Sequence, residues 1–384
     1  MSSKKALIVL GMHRSGTSSI AGALARLGMA APNNLMPAGA DNPRGFWESR
    51  VIGDLDDQIL IEGGSSWSDW RRFDLDGFSP ARLREIRLEL EQAVNSEFDD
   101  APQIVLKDPR LCRMLAIWDG VLENLGYEVG FILPIRSPLE VAASLNRRNG
   151  MPMSHGVLLW LRHVLDAEFA TRGRSRHILT WRAFMSDWRT EVAAIGQSLS
   201  VAFEVTDGRA SEVDDFLSAD LQNEVVPDHR LGETPDGNTW AIEAYEAFKH
   251  LSGSPDVEIL AELDRLRDVF EQGSGVFGKV YGDLEASLDR ARTSTASELE
   301  RVKNLEARLE RLAGDLERQI QETRVVEASH LEIQRKAELQ ATALDNERRR
   351  ANQLDAEVLA LRSRARSNII AILEREDRIA ALTR

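Results

Sequence analysis

Apolar residues are distributed along this chain in two regimes. In the first they form short unbroken runs that stop abruptly at polar loops; from about residue 283 onward they recur at helical spacing against a background of Glu, Arg and Ala with few glycines. Ala6-Leu7-Ile8-Val9-Leu10 predicts a buried strand that passes directly into Gly11-Met12-His13-Arg14-Ser15-Gly16-Thr17-Ser18 and then into a helix over residues 19–25. Gln103-Ile104-Val105-Leu106 predicts a second strand, closed by Lys107-Asp108-Pro109-Arg110. A third, residues 129–135, ends on Arg136. Ser137-Pro138 follows it and starts a helix through Leu145, proline being well suited to the first helical position. All three strands deliver cations or hydroxyls at their carboxyl ends, which is where open parallel sheets bind ligands. The expected fold class is therefore α/β, a P-loop-like parallel sheet flanked by helices, with a C-terminal helical coiled-coil extension.

The first loop is built for an anion. Gly11 and Gly16 let the chain curl so that successive N–H groups point inward, and the helix that follows aims the positive end of its dipole at the same place. The glycine spacing is that of a Walker loop, but Thr17 stands where that loop has lysine, and the cation, Arg14, lies inside the turn. This departure argues against an ordinary ATPase or GTPase. Arg136, at a neighbouring strand end, and Ser144, two turns into the next helix, are placed to reach one ligand together.

Charge and composition narrow the partners. A net charge of −14 over 384 residues argues against nucleic acid or an anionic membrane as the main partner, so any positive field must be local to the loop. The single cysteine, Cys112, excludes an intramolecular disulfide framework. Met-Ser-Ser-Lys-Lys leads at once into the first strand, which does not read as a signal peptide, and no apolar run is long enough to span a bilayer, so a cytoplasmic location is expected. The histidines lack the paired spacing of a zinc site, and no Gly-x-Ser-x-Gly elbow is present. No metal is expected. Most tryptophans read as core or wall residues, with Trp47, Trp67 and Trp70 in loops where stacking on a sugar or adenine is an alternative.

Gly11 to Ser18 resembles the 5′-phosphosulfate loop of sulfotransferases that use 3′-phosphoadenosine 5′-phosphosulfate, and Arg136 with Ser144 resembles their 3′-phosphate site. The bacterial branch of that family is the nearest resemblance. Its recurring features are matched, in order across about residues 5–235, by Asn42-Pro43-Arg44-Gly45-Phe46-Trp47-Glu48, Gly63-Gly64-Ser65-Ser66-Trp67, Leu106-Lys107-Asp108-Pro109-Arg110 and Leu159-Trp160-Leu161-Arg162. Trp181-Arg182 departs from the branch, which usually has a tyrosine and an acidic residue there; packing is the expected role of that position. The resemblance implies sulfuryl transfer to a hydroxyl of a saccharide, glycolipid or similar acceptor. Arg14, the loop amides of Gly11 and Gly16, and the hydroxyls of Ser15, Thr17 and Ser18 would hold the 5′-phosphosulfate, with Arg136 and Ser144 on the 3′-phosphate. Lys107 would lie across the sulfuryl group, or else pair internally with its neighbours at the strand exit. The acceptor hydroxyl needs a base: Glu48 is the first candidate, against a plain helix-start role, followed by Asp108 and then His13. The alternatives are a P-loop phosphotransferase or NTPase with Asp108 as magnesium ligand, and an inactive sulfotransferase-like scaffold.

Three regions are expected: residues 1–250 as the sulfotransferase domain, 251–282 as a helical linker and 283–384 as a coiled-coil extension. Leu305, Leu309, Leu312 and Leu316 form a heptad seam that Leu354, Val358 and Leu361 resume, with Thr323 and His330 interrupting it. Such a stripe implies a homo-oligomer or a helical partner. The basic run Arg348-Arg349-Arg350 reads as a solvated coiled-coil face, or alternatively as a docking site for an acidic partner or lipid.

Overall fold

In a computed structural model the described residues are 4–39, 42–217, 239–252, 256–334 and 341–382. The resembling span thus extends, over residues 218–235, beyond what is described. The chain divides into two units, Met1–Val276 and Phe277–Arg384.

The first unit is organised on four parallel strands in the order β2-β1-β3-β4: β1 Lys4–Val9, β2 Gln103–Lys107, β3 Tyr127–Ile135 and β4 Arg176–Thr180. The three strands expected from the apolar runs are present, and β4 joins them on the far side of β3. The runs do not alternate because both faces of the sheet are covered: Ala6 through Val9, Ile104 through Leu106, and Phe131 through Leu133 are all buried. Helices follow in chain order as α1 Thr17–Arg26, α2 Arg50–Glu62, α3 Pro80–Phe98, α4 Leu111–Trp118, α5 Val121–Asn124, α6 Pro138–Asn149 and α7 Met153–Ala170. They continue as α8 Trp181–Ser186, α9 Trp188–Leu199, α10 Asp207–Phe216, α11 Thr239–Leu251, α12 Val257–Gln334 and α13 Ala341–Leu382.

Strand order sets the site. From β1 the chain goes to β2 on one side, whereas β3 and β4 lie on the other, so the connections diverge between β1 and β3 and open a crevice beyond their carboxyl ends. The loop after β1 and the Arg136 end of β3 meet there. Beneath them one apolar cluster joins Val9, Ile20 and Leu24 to Ile132, Trp181 and Phe184, so loop and sheet share a core.

The first turns of α12 belong to this unit. Leu263, Leu266 and Phe270 are buried, Phe270 packs 6.0 Å from Trp70, and Glu271 pairs with Arg162, whose Nε donates to the Trp70 carbonyl at 2.9 Å. The second unit comprises the remainder of α12 and α13. Its inward line on α12 runs through half-buried Leu309, Ala313, Leu316, Ile320 and Thr323, while Leu305 and Leu312 of the expected seam are 43% and 46% exposed. The line keeps the column of Leu309 and Leu316, while Ala313 and Ile320 stand one position on from the column of Leu305 and Leu312. Among the described residues no helix is long and apolar enough to cross a membrane.

Candidate functional site

The loop after β1 takes a conformation that glycine permits and arginine tolerates at a cost. Gly16 caps α1 at φ 85°, ψ 7°, and Arg14 also lies in the left-handed region at φ 69°. A Cβ at Gly16 would fall 2.1 Å from Cε3 of Trp181, so the indole is the floor on which the turn is pressed. Gly11 is equally closed in, its virtual Cβ 2.9 Å from Thr17 Cγ2. The turn is closed by the Ser15 amide donating to the Met12 carbonyl at 3.1 Å. Among the described residues Ser15 Oγ, beside a helix N-terminus, is buried without a hydrogen-bond partner.

β3 locks the loop from the side. Arg136 donates through Nη1 to the Arg14 carbonyl at 3.0 Å and through Nε to Glu140 at 2.9 Å, and its own carbonyl accepts from Trp160 Nε1 at 3.0 Å. Arg14 Nε donates to Ser144 Oγ at 2.8 Å. Arg14, Arg136 and Ser144, 130 residues apart at the extremes, are therefore one hydrogen-bonded group.

On the other side stands a buried ion pair. Lys107, the last residue of β2, donates to Glu48, and their side chains are each only 3% exposed. Lys107 Nζ also reaches the Phe46 carbonyl at 3.2 Å and Ser18 Oγ at 3.4 Å, while Ser18 donates to the same Phe46 carbonyl at 3.0 Å. Glu48 is not the cap of α2; Ser49 is, its Oγ accepting from the Ile52 amide at 3.0 Å and donating to the buried Glu97 at 2.8 Å. Ser49 thereby takes the helix-start role and leaves Glu48 facing Lys107. The preceding residue, Trp47, sits at φ 57°, a second left-handed non-glycine beside the site.

Asp108 points elsewhere. Both its oxygens accept from Arg110 Nη1 at 3.0 Å, and Arg110 is further held by Asp57 at 2.7 and 2.8 Å, with Nη1 3.6 Å from Glu48. Burial raises the Asp108 carboxyl, the Arg110 charge opposes this, and Glu48 adds to the rise. Burial disfavours the Arg110 charge, but Asp108, Asp57 and Glu48 outweigh it and hold the guanidinium protonated. His13 sits edge-on to Trp67 at 5.1 Å, and burial, reinforced by Arg110, Lys107 and Arg148, holds its pKa well below the usual histidine value. It is a neutral imidazole whose Nε2 is buried and has no hydrogen-bond partner among the described residues.

These walls enclose a cavity of about 360 Å³, inside the range of small-molecule sites. Of the residues singled out in the sequence, His13, Arg14, Gly16, Thr17, Ser18, Glu48, Lys107 and Arg136 line it. Gly11, Ser15 and Ser144 stand behind that lining, and Asp108 is not brought into the cavity. Arg44 and Arg148 add two cations, making five with Arg14, Lys107 and Arg136 against the one carboxylate of Glu48 among the described residues. Arg148 was not legible from its motif; it reaches the cavity from the last turn of α6 and rests 5.1 Å over the Trp67 ring. Trp181 packs as expected from sequence, yet also lines the cavity. Among the described residues no group of three or more His, Cys, Asp or Glu is placed to hold a metal ion.

No protein-family model and no curated protein matches the chain. Among solved structures it is similar to a sulfotransferase domain from the Synechococcus PCC 7002 olefin synthase, at 16% identity over 69% of this chain and 94% of that one, with a TM-score of 0.34. It is also similar to a sulfotransferase domain from the curacin biosynthetic pathway, at 12% identity over 69% of this chain and 96% of that one, with a TM-score of 0.35. At such scores the functional reading rests on the geometry of the cavity.

Proposed function

We propose that this protein is an enzyme that transfers a sulfuryl group from 3′-phosphoadenosine 5′-phosphosulfate to a hydroxyl of a saccharide, glycolipid or similar acceptor. The observation that carries the reading is the cavity at the β1–β3 divergence, where, among the described residues, a helix N-terminus and five cations surround a single carboxylate. That lining suits a ligand with several separated anionic groups. The buried, partnerless Ser15 hydroxyl at the loop fits an anion that would complete it.

Arg14 and the amides around Gly16, with Ser15, Thr17 and Ser18, would hold the 5′-phosphosulfate. Arg136 would hold the 3′-phosphate, and Ser144, which already accepts from Arg14, keeps its hydroxyl proton for a phosphate oxygen. When bound, the donor supplies the sulfuryl group. Glu48 is the proton acceptor for the attacking hydroxyl, since among the described residues it is the carboxylate in the cavity, whereas Asp108 is taken up by Arg110. Lys107, bridging Glu48 and Ser18, stabilises negative charge between base and loop. Neutral His13 is suited to a hydrogen bond rather than to a fixed charge. The cytoplasm is the proposed setting, in keeping with the lone buried thiol of Cys112.

Calorimetric titration with adenosine 3′,5′-bisphosphate tests the reading. Binding is expected without added metal and unchanged by a chelator. Binding of ATP that requires magnesium, with none of the bisphosphate, would overturn it in favour of phosphoryl transfer.

A further inference from the structure

The helical unit carries a furrow that its own two helices leave unfilled. Residues 309–319 of α12 and 354–366 of α13 bound a space of about 510 Å³ floored by Leu309, Leu312, Leu316, Leu354, Val358 and Leu361. It runs on through Gln319 and Leu354 into a second space of about 340 Å³ beside Ile320, Val326 and Ala351. Residue numbers fall along α13 as they rise along α12, so the helices are antiparallel across it. Leu305, Leu312, Leu359 and Leu361 remain 43%, 46%, 66% and 46% exposed. Two helices bury one stripe each; this seam is wide enough for another layer.

At one level of the hairpin the rims of the furrow differ in charge, with Glu310 on the α12 rim and Arg362 and Arg366 on the α13 rim; further along, the α13 rim carries Glu357 and the α12 rim Asp315, which is turned to Arg318 at 3.2 Å. We propose that the furrow is the interface with a second copy of this chain, the two hairpins packing face to face about a two-fold axis parallel to the helices. That axis lays α12 of one copy over α13 of the other at equal height, so Glu310 of each copy meets Arg362 and Arg366 of the other. The four helices then alternate in direction around the bundle, and Leu312 and Leu361, the two exposed leucines that line the furrow, are enclosed. A two-fold across the helices is disfavoured, because it sets Arg362 to Arg366 of one α13 against Arg348 to Arg350 of the other.

The furrow spans residues 309–326 of α12, about 26 Å at helical rise, and two helices wide it offers a footprint of roughly 500 Å² per copy. That is below the ~800 Å² of a standard interface, so the dimer is expected to dissociate in the micromolar range. Sedimentation equilibrium of the full chain at micromolar concentrations is the test. Wild type is expected to be a monomer–dimer mixture. Glu310→Arg, and separately the pair Arg362→Glu with Arg366→Glu, should each weaken self-association by at least about tenfold, and mixing the two variants should restore a dimer at wild-type strength. Restoration on mixing also shows that both variants are folded. A monomer throughout that range, an oligomer larger than a dimer, charge variants that associate like wild type, or a mixture no tighter than its components would each overturn the proposal.

Discussion

Gly16→Ala isolates what the loop after β1 demands of its backbone. Two costs are separable. At φ 85° an alanine stands in the left-handed region, worth about 1–2 kcal/mol against an L side chain. Its methyl would also lie 2.1 Å from Cε3 and 2.6 Å from Cδ2 and Cζ3 of Trp181, and this indole has little room to retreat: it is 6% exposed and stacked on Phe184 at 6.4 Å. Forcing a methyl into such a contact costs about 1–3 kcal/mol, so the total is about 2–5 kcal/mol, a large share of the ~5–15 kcal/mol that holds a domain together. Urea unfolding with calorimetry of the bisphosphate reads both stability and site. The steric part should be recovered in Gly16→Ala/Trp181→Phe, because the smaller ring removes part of the clash, whereas the left-handed part should stay. The cycle should show a favourable coupling of about 1–3 kcal/mol. A Gly16→Ala protein that loses under ~1 kcal/mol and binds the bisphosphate as wild type does would refute the idea that turn and indole are mutually fixed.

The other perturbations address charge. Arg136→Ala should weaken adenosine 3′,5′-bisphosphate by a lost charge-assisted contact of about 1.5–3 kcal/mol; it should weaken the 5′-monophosphate less, through the lost bond to the Arg14 carbonyl alone, and equal losses by calorimetry would assign Arg136 to loop support. Glu48→Gln should lower turnover of donor with a hydroxyl acceptor by about two to four orders of magnitude. Its affinity for the bisphosphate should not fall, since the change removes a negative charge from the cavity wall; near-normal turnover would move the base elsewhere. His163 is held by burial, then by Arg113, at a pKa of about 3, with Nδ1 donating to the Leu159 carbonyl at 2.8 Å. The unfolded chain binds that proton below about pH 6.5 and the folded chain does not until about pH 3, so this group's stabilisation is present above 6.5 and is lost as pH falls through that window. Against wild type, His163→Gln should flatten the fall of unfolding free energy between about pH 6 and 4 by up to ~1.4 kcal/mol per pH unit, and an unchanged slope would contradict the buried neutral state.

The strands were legible where both faces are buried, because continuous apolar runs such as residues 6–10 and 129–135 have no competing reading as surface elements. β4 escaped for the opposite reason. Its five residues, Arg176-His177-Ile178-Leu179-Thr180, contain two apolar positions, and Arg176 is spent on Glu168 rather than on the strand's face. Site residues within contiguous motifs were legible as motifs but not as partners: Glu48 and Lys107 are 59 residues apart, and only the β1–β2 pairing with the turn before α2 brings them together. Lys107-Asp108-Pro109-Arg110 reads as a cation-rich strand end, whereas in the fold it splits. Lys107 faces the cavity, and Asp108 with Arg110 builds the ion network behind it. Arg148 carried no signal, since a basic residue in the last turn of a helix is commonplace and its approach to Trp67 is purely tertiary.

The distribution of carboxylates explains how an acidic chain keeps a cationic cavity. Glu140 sits on Arg136, and Asp57 and Asp108 sit on Arg110, so acidic groups hold cations from outside the lining while the cations line or flank the space itself. Each guanidinium is thereby oriented before any ligand arrives, which places the cost of ordering it in folding rather than in binding. Left-handed Arg14 and Trp47 and the partnerless Ser15 hydroxyl are unfavourable features of the folded protein, and they cluster at this one place. Glu48 is the exception to the outward placement of acids, and its pairing with Lys107 gives that exception a use. The proposed proton acceptor is thereby met by a cation that also reaches Ser18, so the lysine stands at the boundary between the loop and Glu48.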